Sequence, residues 1–166
     1  MGSSCSGKTT VAGLLSERLG VPHVELDALH HGPNWQVATA HELRAKLAAA
    51  LADRDGWVVD GNYMGKLGAF VIDQADTIVW LDLPLCTLLR RMLPRTANRI
   101  RDRVELWSAG NFESWRSFIL SPNGLLWYTL RNHYRRRREW PMRFGGRNVV
   151  RLRSPGEVEA WLASQG

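Results

Sequence analysis

At 166 residues and 18.8 kDa, with 45% hydrophobic residues, the chain has the size of one globular domain with its own core. No apolar run approaches the ~20 residues of a membrane span, no signal peptide is legible at the N-terminus, and two cysteines, Cys5 and Cys86, build no disulfide framework, which fits a reducing cytoplasm. The net charge of +6 divides into −4 over residues 1–83 and +10 over residues 84–166, where sixteen Arg stand without one Lys; guanidinium forks in that number point to phosphate, carboxylate or nucleic-acid partners, or to a solvated basic face.

In chain order, Lys8–Leu19 reads as a helix, with Val11, Leu14, Leu15 and Leu19 at helical spacing and Gly20 as its stop. Val21–Leu26 reads as a strand ending at Asp27, followed by a loop from Ala28 to Val37 that holds His30, His31 and Trp35. Thr39 with Glu42 makes a capping box that opens a helix to about Ala52. Residues 57–60 and 77–81 are compact apolar strands. A helical pattern from Leu85 to Arg103 carries Pro94, which should kink or break it. A short segment at 112–119, a helix at 122–139 and a strand at 148–152 follow. Ser154-Pro155-Gly156-Glu157 then caps a final helix to about Ser164. Alternating, wholly apolar strands and helices predict an α/β fold, its parallel sheet covered on both faces, with residues 86–121 as a helical insertion on a single domain spanning 1–166.

Gly2-Ser3-Ser4-Cys5-Ser6-Gly7-Lys8-Thr9 fits G-x-x-x-x-G-K-[ST] and runs straight into the first helix. Glycines permit the turn, successive N–H groups form a concavity, and the helix dipole favours negative charge there. The loop through Thr10 is therefore expected to bind ATP, with Lys8 on the β- and γ-phosphates and the Thr9 hydroxyl on Mg²⁺. Such a loop ordinarily follows a buried strand. Here only Met1 precedes it, so an in-frame apolar strand is expected upstream, lying between 57–60 and 77–81.

Phosphoryl transfer needs positioning and charge neutralisation. Asp27, at a strand end, is the candidate to take a proton from an acceptor hydroxyl or to hold Mg²⁺ through water; Asp60, at the next, is the candidate to hold Mg²⁺ through water. Asp82, before Pro84, reads as turn chemistry or as a third such carboxylate. Arg91, Arg95, Arg99 and Arg103 recur every four residues and predict a lid over the phosphates, with Arg95 and Arg99 best placed. Arg135–Arg138 reads as a run that is mostly solvated, or else as a contact for nucleic acid or polyphosphate. Trp35, Trp107 and Trp115 can stack on a flat substrate or pack in the core or at a hinge. His30 and His31 lack a second ligand cluster at zinc spacing. Cys5, at a helix start, is expected to have a lowered thiol pKa.

The phosphate loop, Leu26-Asp27-Ala28-Leu29-His30, Val58-Val59-Asp60-Gly61-Asn62-Tyr63, Ala75 to Pro84 and Gly110-Asn111-Phe112-Glu113 together resemble the adenylate-kinase-like P-loop kinases, and more narrowly bacterial proteins labelled DNA topology modulation proteins. The resemblance implies a five-stranded parallel sheet in a three-layer α/β/α arrangement, an ATP:acceptor phosphotransferase and a mobile lid. It also sets Ser154 beside the adenine base. Adenylate kinases carry Asp-Gly-Phe-Pro-Arg where this chain has Asp60-Gly61-Asn62-Tyr63, so the arginine that grips the acceptor's phosphate is absent there, which argues against AMP. The leading expectation is an ATP- and Mg²⁺-dependent kinase of a small acceptor; the alternatives are a nucleic-acid-associated ATPase or a nucleotide-binding regulator.

Overall fold

A computed structural model describes residues 1–122 and 124–165 and shows a mixed α/β chain with short parallel strands. Strands β1 (His23–Glu25) and β2 (Val58–Asp60) pair with Val24 opposite Val59; β3 (Ile78–Leu81) and β4 (Val149–Leu152) pair with Val79 opposite Val150. These are two separate parallel pairs, where the resemblance implies one continuous sheet. Between them lie Met1 and Gly2. The Met1 amino group donates to Val79 O at 2.6 Å, Leu81 N donates to Met1 O at 2.9 Å, and Asn62, just after β2, exchanges hydrogen bonds with the Gly2 backbone.

Helix α1 (Lys8–Leu19) follows the Gly2–Gly7 loop and ends at Gly20 in the left-handed conformation. The expected strand at 21–26 is shorter. After Glu25 the chain turns into helix α2 (Leu26–His30), because this turn buries Leu26 beside Leu43 and Leu47. The expected loop at 28–37 therefore starts as helix and continues through a 3₁₀ turn at Pro33–Trp35. Helix α3 (Ala40–Leu51) begins with both halves of the Thr39–Glu42 capping box formed. Two short helices, α4 (Met64–Leu67) and α5 (Phe70–Gln74), fill the stretch before β3.

Helix α6 (Leu85–Arg101) runs unbroken through Pro94. The proline removes one hydrogen-bond donor, but Leu88, Met92 and Thr96 are buried along one side and hold the helix in place. The segment after it is helical only at Arg116–Leu120, as a wide π-type turn. Helix α7 (Leu125–Phe144) starts later and ends later than expected, passing Pro141 and stopping at Gly145; Asn123, within the expected span, lies outside the described residues. Helix α8 (Pro155–Ala163) has the expected cap, with Glu157 N donating to Ser154 Oγ at 3.2 Å.

Three apolar clusters hold the layers together: Leu26, Leu43, Leu47 and Leu67 under β1–β2; Ile78, Trp80, Trp140 and Phe144 between β3 and α7; Val11, Leu81, Leu152 and Leu162 between α1, β4 and α8. Among the described residues no helix is long and apolar enough to cross a membrane.

Candidate functional site

The ends of β1 and β2, the Gly2–Gly7 loop and the inner face of α6 surround a cleft of about 1190 Å³. Ser4, Cys5, Gly7, Lys8, Thr9 and Thr10 line its floor. Two glycines shape that floor. A Cβ on Gly2 would lie 2.6 Å from Ser6 Oγ and 2.9 Å from Leu81 O, so only glycine lets the loop start this close to β3. Gly7 enters α1 at φ +91°, a left-handed conformation. Ser3 and Ser6 are buried behind the loop, and Ser6 Oγ has no hydrogen-bond partner.

Lys8 Nζ donates to Ser3 O at 3.3 Å. Burial pulls its pKa down, and the nearby carboxylates of Asp27 and Asp60 pull it up. Asp27, on α2, lines the cleft and accepts from Tyr63 Oη at 2.6 Å. Tyr63, which the sequence does not single out, has its phenol pushed up by burial and by the Asp27 charge, so it stays a donor. Asp60 lies beneath the lining, 2% exposed; its Oδ2 is 3.3 Å from His23 Nε2 and its Oδ1 is unpartnered.

Across the cleft, Arg91, Arg95 and Arg99 share one face of α6. Arg91 Nη1 donates to Ser6 O at 3.3 Å, tying α6 to the loop. Arg99 Nη1 lies 2.8 Å and Arg95 Nη2 4.0 Å from Glu113 Oε1. Arg103 does not join this face, because α6 stops at Arg101 and Arg103 turns to stack over Phe112 at 5.8 Å.

Several expectations change. The Cys5 thiol is pushed up, since burial outweighs the pull of Arg95, Lys8 and Arg99. Asp82 is neither a cleft carboxylate nor a simple turn residue: it accepts from Arg137 Nε at 2.7 Å and from Arg151 Nη2 at 2.6 Å. The run at 135–138 is not mostly solvated either. Arg136 is buried, donates to Tyr128 Oη at 2.8 Å and lies over the rings of Tyr128 and Trp140, while Arg137 serves Asp82; Arg135 and Arg138 face outward. Trp115 packs near Phe118 outside the cleft lining, whereas Trp35 and Trp107 line it. Ser154 is also outside that lining and is occupied as a helix cap, but the adjacent Pro155 borders a second cavity of about 720 Å³ that shares Arg91 and Arg95 with the first. No protein-family model, curated protein or solved structure matches the chain.

Proposed function

We propose that the chain is an ATP-dependent phosphotransferase acting on a small hydroxyl-bearing acceptor, on a three-layer α/β/α P-loop domain of the adenylate-kinase-like kind with residues 86–121 as its lid. The observation that carries this reading is the convergence on one cleft of Lys8, Asp27 and the three arginines of α6 around a glycine-shaped loop. The parallel strand pairs, and the Gly2–Gly7 loop that bridges to Leu81 of β3 before entering α1, support the fold assignment.

The loop suits a polyphosphate. Its close approach to β3 leaves no room for a side chain at Gly2, and the α1 N-terminus carries no acidic residue in its first turn. Thr9 and, through water, Asp60 would hold Mg²⁺, which supplies neutralisation of phosphate charge; the unpartnered Asp60 Oδ1 fits that role. Lys8 and the loop N–H groups hold the β- and γ-phosphates. Arg95 and Arg99 meet charge developing on the transferred group when they leave Glu113. The second cavity, which shares Arg91 and Arg95 with the first, suits the nucleoside end of ATP. Asp27, oriented by Tyr63, accepts the acceptor's hydroxyl proton.

The test is ADP release from Mg-ATP over a panel of acceptors, with Lys8→Ala as blank. A phosphorylated small molecule identified by mass is expected, together with a drop of about 10- to 100-fold in transfer for Arg95→Ala while ATP affinity is largely kept. Stimulation by DNA or RNA alone would replace this reading with the nucleic-acid one, and normal turnover in Arg95→Ala would remove the lid role.

A further inference from the structure

The charges lining the cleft are segregated. Its lysine and arginines are Lys8, Arg91, Arg95 and Arg99, and all four belong to the phosphate loop or to α6. At the other end, at the close of β1 and on α2, Glu25 and Asp27 line the cleft; burial raises the pKa of Glu25, and the Asp60 and Asp27 charges add to it. The hydrogen-bond donors to Glu25 and Asp27 there are neutral: Trp107 Nε1 reaches Glu25 Oε1 at 3.2 Å, and Tyr63 Oη reaches Asp27. By contrast, Glu113 on the cationic side is matched by Arg99. Lys8 interacts with Asp27 but donates back into its own loop at Ser3 O. Burial, with the Lys66 charge adding to it, lowers the pKa of His31 and lowers that of His30 to about 4, so both imidazoles are neutral at pH 7; Lys66 itself stays outside the lining and donates to Ala38 O at 2.6 Å.

The same end is walled by flat rings. His31 stacks on Trp107 at 4.7 Å and 17°, and Trp35 meets both edge-on at 5.8 and 5.9 Å. The wall is fixed in place. Trp35 N donates to Asn111 Oδ1 at 2.7 Å, and the buried Asn111 donates back to Gly32 O at 3.0 Å. Trp35 is still 43% exposed, which leaves indole surface for a ligand.

We propose that the acceptor is a hydroxyl-bearing ring compound without a phosphate or other anionic group, seated against Trp35 and Trp107 with its hydroxyls on Glu25 and Asp27. This rests on the phosphotransferase reading above. The ring supplies a face for the indoles. The hydroxyls donate to carboxylates that an anion would meet as like charges. In the transfer, the acceptor oxygen bonds to the γ-phosphorus as the bond from that phosphorus to the bridging oxygen breaks. The electron pair leaves on ADP, and the hydroxyl proton passes to Asp27.

Matched pairs test the idea: adenosine and AMP, cytidine and CMP, glucose and glucose 6-phosphate, ribose and ribose 5-phosphate. ATP binding is measured separately by calorimetry on the wild type and on Lys8→Ala. The expected result is transfer to at least one uncharged member, with kcat/KM higher than for its phosphorylated partner by about a hundredfold or more. The nucleoside and sugar arms then identify the ring. Glu25→Lys should narrow the gap by at least about tenfold, and Glu25→Gln by less. A phosphorylated member used as well as its partner, or ATP bound with no uncharged member accepted, overturns the acceptor inference alone. Failure of the wild type to bind ATP removes the phosphotransferase reading, and the inference with it.

Discussion

Replacing Asp82 with Asn keeps the volume but removes the charge that joins α7 to β4. The carboxylate is 5% exposed and accepts from Arg137 Nε at 2.7 Å and from Arg151 Nε and Nη2 at 3.0 and 2.6 Å. Breaking a fully buried pair costs about 3–5 kcal/mol. The two guanidiniums here are about a third exposed, so each recovers part of its hydration, and Arg151 keeps its place over Trp80 at 4.1 Å. The loss is then about 2–3 kcal/mol. For a chain of this length that lowers Tm by about 5–10 °C. Calorimetry on wild type and variant measures it, and urea titration should show a lower midpoint at unchanged slope. Because the carboxylate is buried, 1 M salt should leave most of the difference intact. A shift under about 2 °C, or one erased by salt, would show that the three groups behave as a surface pair and would refute the reasoning.

Gly2→Ala places a methyl within 2.9 Å of the immovable Leu81 carbonyl oxygen and should cost about 1–3 kcal/mol in thermal stability; an unchanged Tm would contradict the close approach. His30 is held to about pKa 4 when folded and titrates near 6.5 when unfolded, so below pH 6.5 the unfolded chain takes up protons first. Urea unfolding should therefore show stability falling from pH 6.5 toward pH 4, by about 2 kcal/mol between pH 6.5 and 5 for this residue, with His31 and His133 adding to the slope. An identical slope in His30→Leu would exclude it. Glu113→Gln frees Arg99 and Arg95, and should tighten ATP binding by about fivefold at low salt and less at high salt; weaker binding would mean that Glu113 positions the arginines instead.

What the sequence shows of this protein is what neighbours along the chain decide. The Thr39–Glu42 box and the Ser154–Glu157 cap are local exchanges between residues three apart, and both form as read. Gly7 is legible for the same local reason, since its left-handed backbone opens α1, whereas the need for glycine at position 2 comes from Leu81, far along the chain. Pro94 misleads because the cost of a proline is local, while the burial of Leu88, Met92 and Thr96 that offsets it is tertiary. The Arg135–Arg138 run misleads for a related reason. Arg137 finds Asp82 fifty-five positions away, and Arg136 finds the Tyr128 ring two turns back along α7, beside the phenol that accepts its hydrogen bond. Asp27 stands out by its place after a strand, yet nothing near it announces Tyr63, thirty-six residues on, as the group that orients it. Glu113 is visible only as part of a resemblance, and its pairing with Arg99 requires the chain to fold back after α6.

The continuity of α6 makes it a lever. Seventeen residues at 1.5 Å each give a rod of about 25 Å, anchored where it leaves β3 through Leu83 and Pro84. A tilt of about 5° at that anchor would sweep Arg99 through about 2 Å and Arg91 through less than about 1 Å. On such a tilt Arg91, tied to Ser6 O near the anchor, would move least, and Arg99, paired with Glu113 toward the far end, would move most.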